Sequence, residues 1–150
     1  MQSFHPALVH FPIAFILLAC FAELLRACCG RPQIATVRFI VWAVLLGLIA
    51  AYFSGPEEIE DINNVSLQEA FAAHQNSARF TLWVYPIAVL LIELHTRAQA
   101  LGRHLSWPVW ALRVVLVASA LLVGVTGLRG GELVHVFGVK TTVSIKTTLP

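Results

Sequence analysis

The sequence predicts an all-α fold, an integral membrane four-helix bundle with both termini on the periplasmic side. Three observations predict it. The 150 residues are 58% hydrophobic and 12% charged, with a mean hydropathy of +0.78. Soluble domains carry about 25% charged residues, so a soluble chain of this length could not hide so much apolar surface. Four apolar runs each approach or exceed the roughly 20 residues that a bilayer requires. Arginines gather on two of the connections, with Arg26, Arg31 and Arg38 between runs one and two, and Arg97, Arg103 and Arg113 around the link from run three to run four. The positive-inside rule assigns those short connections to the cytoplasm and both termini to the other side. A net charge of +2 without any basic tract excludes nucleic acid as a partner and leaves the lipid bilayer as the first one.

The first run covers about 6–25 and is closed by Arg26, Arg31 and Pro32. A proline in a helix's first turn loses no needed N–H, but Pro12 falls deeper and predicts a bend or a late start to regular helix. Cys20, Cys28 and Cys29 fit neither a Cys-x-x-Cys-His haem-attachment motif nor a zinc spacing, and read as small apolar residues. Leu17-Leu18-Ala19-Cys20 resembles a lipoprotein cleavage box, yet no Lys or Arg precedes it, which predicts a retained helix.

The second run, about 36–54, ends in Ser54-Gly55-Pro56, and Gly47, Ala51 and Gly55 make a smooth stripe down one face. Glu57, Glu58, Glu60 and Asp61 then form a solvated acidic loop. Ser66-Leu67-Gln68-Glu69 is a capping box and starts the third run, about 66–100. His74, Gln75, Asn76, Ser77 and Arg79 fall at interfacial depth, where polar groups face protein, cofactor or water rather than hydrocarbon. Pro86 predicts a kink below them. The fourth run, about 107–130, carries a second stripe, Ala120, Gly124, Gly127 and Gly131, before Gly130-Gly131-Glu132-Leu133-Val134-His135 leaves the membrane. Residues 139–150 read as an extramembrane tail, and the whole of 1–150 as one membrane domain. Glu23 with Arg26 and Glu93 with Arg97 have the spacing of helical ion pairs. His95 and His104 read as solvated residues at the cytoplasmic interface.

Four antiparallel spans bring the start of the first, the end of the second, the start of the third and the end of the fourth to one face. That face collects His5, His10, Gly55, His74, Glu132 and His135.

Two segments also carry a family resemblance. His5-Pro6-Ala7-Leu8-Val9-His10-Phe11-Pro12 and Gly130-Gly131-Glu132-Leu133-Val134-His135-Val136-Phe137-Gly138 resemble the HPLLVHFP-like and GG-x-LVY-x-HG-like motifs of a family of bacterial membrane proteins of unknown function. His74 matches a histidine that the family carries at the start of its third helix, and the resemblance covers nearly the whole chain. One departure stands out: the family's terminal histidine falls at Phe137, and His135 stands where an aromatic residue is usual. Members are sometimes joined to cytochrome c modules. The resemblance therefore implies redox work in the bacterial inner membrane, with a c-type cytochrome or other subunits of a redox complex as partners.

The leading expectation is a b-type haem held by His10 and His74, since haem iron takes imidazoles from opposite faces of a flat apolar slot. Gly55, Gly124, Gly127 and Gly131 would admit the macrocycle, and Arg79 and Arg129 would pair with its propionates. His5 and His135 could serve a second haem. No nucleophile–base pair or phosphate loop is visible. The expected role is thus electron transfer by a cytochrome b-like subunit or anchor, without catalysis of its own. Two other readings stay open: a copper, zinc or iron site built from His5, His10, His74 and Glu132, and a structural subunit without a cofactor.

Overall fold

The computed structural model describes residues 5–30, 33–55 and 65–138, with the side chains of 5–7 outside that description. The acidic loop and the tail 139–150 lie outside the described residues. Four α-helices make up the fold: α1 (His5–Cys29), α2 (Ile34–Ser54), α3 (Val65–Ala100) and α4 (Trp107–His135). Each is long and apolar enough to cross a membrane, and no strand occurs among the described residues.

Backbone saturation explains where the helices depart from expectation. Hydrocarbon offers no partner to a free N–H or C=O, so a helix at membrane depth runs on wherever sterics permit. Regular helix in α1 begins at His5 and passes through Pro12 instead of starting after it. One missing hydrogen bond is cheaper there than several. At its other end α1 reaches Cys29, and Gly30 stops it in a left-handed conformation (φ 68°) with its N–H on Arg26 O, 3.1 Å. Likewise α4 runs through Gly130 and Gly131 to His135, five residues past the expected end. Pro86 lies inside an unbroken α3.

Each helix turns its largest apolar side chains outward. Phe39, Trp42, Leu46, Ile49 and Phe53 of α2 are exposed, as are Phe80, Trp83, Ile87, Leu90 and Leu94 of α3. On α4 the series is Trp110, Val114, Val117, Leu121, Val125 and Leu128. The steps of three and four put each series on one helix face. Continuous apolar faces of this size belong in lipid. The inward residues are smaller: Ala19, Val37, Val41, Val44 and Ala88 surround Ile16, Tyr85, Ile92, Leu112 and Leu116. The helices pack α1–α2, α2–α3, α3–α4 and α4–α1, closing a ring of antiparallel neighbours. The start of α1 and the end of α4 thus fall at one end of the bundle.

Polar ties hold the opposite end. Glu23 of α1 is 2% exposed and accepts from Arg26 at 2.7 Å and from Arg113 of α4 at 2.9 Å. The guanidinium of Arg113 also stacks on Trp110, 4.5 Å from the ring centroid. Glu93 corrects the expected pairing: it forms no ion pair with Arg97. It accepts instead from Arg38 (2.6 and 3.0 Å) and from Trp42 Nε1 (2.9 Å), both on α2. Midway, the Tyr85 hydroxyl donates to Val41 O at 3.2 Å. His95 is buried, not solvated, because its ring turns back to place Nδ1 3.2 Å from Leu105 O in the α3–α4 connection. His104 is exposed, as expected.

The two small-residue stripes have different fates. On α2, Gly47 and Ala51 are buried, and a Cβ on Gly47 would come within 2.9 Å of Phe11 Cδ1. The Phe11 ring is stacked on Phe15 with centroids 4.1 Å apart, and it must give up that stacking to make way for a side chain at position 47. On α4 only Ala120 packs against the core. A Cβ on Gly124, Gly127 or Gly131 would meet no described atom within 4 Å.

Two predictions follow from this packing. Gly47→Val forces Phe11 aside and destabilises the protein by about 1–3 kcal/mol, the range of core overpacking, whereas Gly124→Val leaves thermal unfolding in detergent nearly unchanged. Glu23→Ala strands two arginines around a buried site and costs about 3 kcal/mol. Glu93→Ala, at the more exposed pair, costs about 1 kcal/mol. Unfolding curves of the four variants check both orderings.

Candidate functional site

The polar cluster at the terminus-bearing end joins α3 to α4 in both directions. From α3, His74 places Nδ1 3.0 Å from the carbonyl oxygen of Thr126 on α4. A carbonyl only accepts, so Nδ1 carries the proton and Nε2 is left with its lone pair. Gly130 makes this approach possible. It stands one turn beyond Thr126, and a Cβ there would fall 3.1 Å from His74 Cε1 and 3.4 Å from Nδ1. The imidazole occupies the space that any other residue's side chain would take.

From α4, Arg129 reaches back to α3, where its Nη1 donates to Ala73 O at 2.9 Å and to Ser77 Oγ. Ser77 in turn donates to Ala73 O at 2.8 Å. The small hydroxyl, one turn beyond Ala73, leaves that carbonyl open to the guanidinium. His74 and Arg129 thus form a reciprocal clasp, each side chain capping a carbonyl of the facing helix.

A gap in the side-chain cover of α4 adjoins the clasp. Gly124, Gly127 and Gly131 follow Arg113 by 11, 14 and 18 residues, close to three, four and five helical turns. They lie on the α4 face that carries Arg113, where a Cβ on any of them would meet no described atom within 4 Å, and Gly124 and Gly127 are exposed. On α1, Val9 precedes Glu23 by 14 residues, about four turns, and so points toward the gap. His10 is the next residue. It is exposed, on the same side as the exposed Ala14, Leu17 and Phe21.

The structure brings His74, Arg129 and Gly130 together, with Gly124, Gly127 and Gly131 lining the neighbouring gap. No hydrogen bond joins His10 to His74 among the described residues. His135 is exposed at the last position of α4, and Arg79 is exposed on α3 outside the clasp. Gly55 caps α2 with its N–H on Tyr52 O, 3.4 Å. The His5 side chain lies outside the described residues. Glu132 is exposed. No group of three His, Cys, Asp or Glu side chains is placed to hold a metal ion among the described residues. Sequence reasoning missed Gly130, Thr126 and Ser77 as partners, although Gly130 stood in a quoted motif and Ser77 in the polar run.

A comparison with family models matches residues 1–143 to a family described as predicted membrane protein (DUF2231). The chain belongs to this family. Neither curated proteins nor solved structures yield a match. The family description gives the membrane setting and no chemistry, so the clasp is the most specific feature from which to argue.

Gly130→Val pushes the His74 ring off Thr126 O and weakens α3–α4 docking. The cost expected from a lost buried hydrogen bond with local overpacking is about 2 kcal/mol. Gly131→Val, one residue along and facing the gap, should leave the same measurement, thermal unfolding in detergent, nearly unmoved.

Proposed function

We propose that this protein is a membrane-embedded b-type haem-binding electron-transfer subunit of the bacterial inner membrane, with His74 as the residue that would hold the haem iron and the termini on the periplasmic side. The observation that carries the reading is the His74 geometry. An imidazole that ligates a metal through one nitrogen ordinarily donates its other N–H to a carbonyl or carboxylate, which fixes the tautomer and aims the ring. His74 has that arrangement, on a helix whose neighbour is shaped by glycine to accept it. The glycine strip of α4 presents no side chain, which leaves room beside it for a flat macrocycle. His10, exposed near the start of α1, is the proposed second ligand; His5 and His135 at the same end are the other imidazoles.

A bound haem would supply one-electron exchange at the membrane surface. The chain's own residues would bind and orient it. Thr126 O holds the His74 tautomer, Gly130 gives the ring its seat, and the missing side chains at Gly124, Gly127 and Gly131 leave the space clear. Redox partners would be other membrane subunits or a c-type cytochrome docking at the terminus-bearing face.

The test is spectroscopic. Protein purified in mild detergent from cells able to supply haem should show Soret and alpha bands that sharpen with dithionite, and pyridine haemochrome quantitation should give stoichiometric haem b. His74→Ala should lose the haem, and Gly130→Val should lower its affinity about tenfold or more, as loss of an orienting partner does. Folded protein without a Soret band would overturn the reading and turn attention to metal analysis. The orientation has its own check. Cys28 and Cys29 are exposed at the end opposite the termini, so a membrane-impermeant maleimide should label them only after spheroplasts are lysed.

A further inference from the structure

On the other side of the α3–α4 seam, away from α1, lies a groove of about 360 Å³ lined by Asn76, Ser77 and Phe80 of α3 and Leu122, Val125 and Arg129 of α4. Its polarity is graded along the membrane normal. Asn76, Ser77 and Arg129 sit toward the terminus-bearing end. Phe80, Leu122 and Val125 lie about one to two turns deeper. Arg129 spends Nη1 on α3, and its Nε and Nη2 make no hydrogen bond among the described residues. Nor has it a carboxylate partner there. The ion pairs found are Arg26 and Arg113 with Glu23, and Arg38 with Glu93. A half-buried cation at interfacial depth that has no anion among the described residues favours one from outside them.

From this juxtaposition we propose that the groove binds an anionic phospholipid. Its phosphate is held by the free edge of the Arg129 guanidinium, with Asn76 beside it, and an acyl chain lies along Phe80, Leu122 and Val125. A guanidinium fork matches a phosphate's oxygens, and basic pockets between transmembrane helices are a recurrent headgroup site. The graded lining fits an amphiphile whose head lies at the interface and whose tail points to the bilayer centre. A net anionic head is preferred because a choline group would bring a second cation to the same arginine. The site uses a different face of α4 from the glycine gap and is independent of the haem reading.

Native mass spectrometry of the full chain in detergent tests it. The probes are phosphatidylglycerol, phosphatidylcholine with the same acyl chains, and inorganic phosphate. The wild type should retain one phosphatidylglycerol in preference to phosphatidylcholine, and excess inorganic phosphate should not displace it. Arg129→Gln should weaken retention about tenfold or more, the effect of one charged hydrogen bond. Arg129→Lys should keep part of it, and Arg79→Gln should change nothing. Because Arg129→Gln also removes the clasp, Val125→Trp is the second variant: it fills the deep end of the groove, leaves every Arg129 bond intact and should equally abolish retention. Equal retention of the two lipids, unchanged phosphatidylglycerol binding in both Arg129→Gln and Val125→Trp, or displacement by inorganic phosphate would each overturn the proposal.

Discussion

A polar group inside a bilayer must find its partner within the protein, and that constraint organises this bundle. It keeps α1 helical through Pro12 and α4 helical through two glycines. It also determines what the charged residues do. Glu23 and Glu93 each gather arginines from their own or a neighbouring helix, tying α1 to α4 and α2 to α3 at one end. Tyr85 ties α3 to α2 at mid-depth. At the terminus-bearing end the same need is met differently. His74 and Arg129 each take a carbonyl from the facing helix, where a glycine or a serine one turn on leaves that carbonyl open. Apolar packing between such helices supplies little orientation, because lipid is as apolar as leucine. These few directional bonds therefore determine how the helices are rotated against one another.

The arrangement has a functional consequence at His74. An imidazole whose N–H is fully engaged inside the protein presents its other nitrogen in a fixed direction and in a fixed state. Of the histidines whose side chains are described, His95 is similarly anchored, but it is buried at the far end. The glycine strip that α4 carries beyond the Glu23–Arg113 tie gives the terminus-bearing end an asymmetry that the other end lacks. Membership of a family defined only as membrane proteins is consistent with any cofactor. The haem reading rests on the chemistry of this one site.

Much of the fold was legible in the sequence because apolarity and length are local properties. Four spans, their order and their antiparallel closure follow from the apolar runs and short connections. Helix ends were less legible. Gly130-Gly131 looks like a terminator to a reader who assumes water at that depth. Partner choice was least legible, because it depends on helix rotation. Glu93 has Arg97 at ideal helical spacing, yet Arg38 and Trp42 stand across the seam in better position. Likewise, the stripes on α2 and α4 look alike as text. One packs under Phe11 and the other faces open space, a difference decided by helix rotation and not by composition. At the site itself, His74 and Arg129 could be singled out from their polar run and depth. Thr126 and Ser77 could not, since each contributes through a bond to or beside a backbone carbonyl.

The central claim is that His74 is held by Thr126 O with its proton on Nδ1 and Nε2 free to ligate. Nitrogen-15 NMR of histidine-labelled, haem-free protein in lipid measures this directly, with His74→Gln assigning the resonance. The account predicts a protonated, pyrrole-type shift at Nδ1 and an unprotonated, pyridine-type shift at Nε2. A ring protonated at Nε2 instead, or one averaging between tautomers, would contradict it.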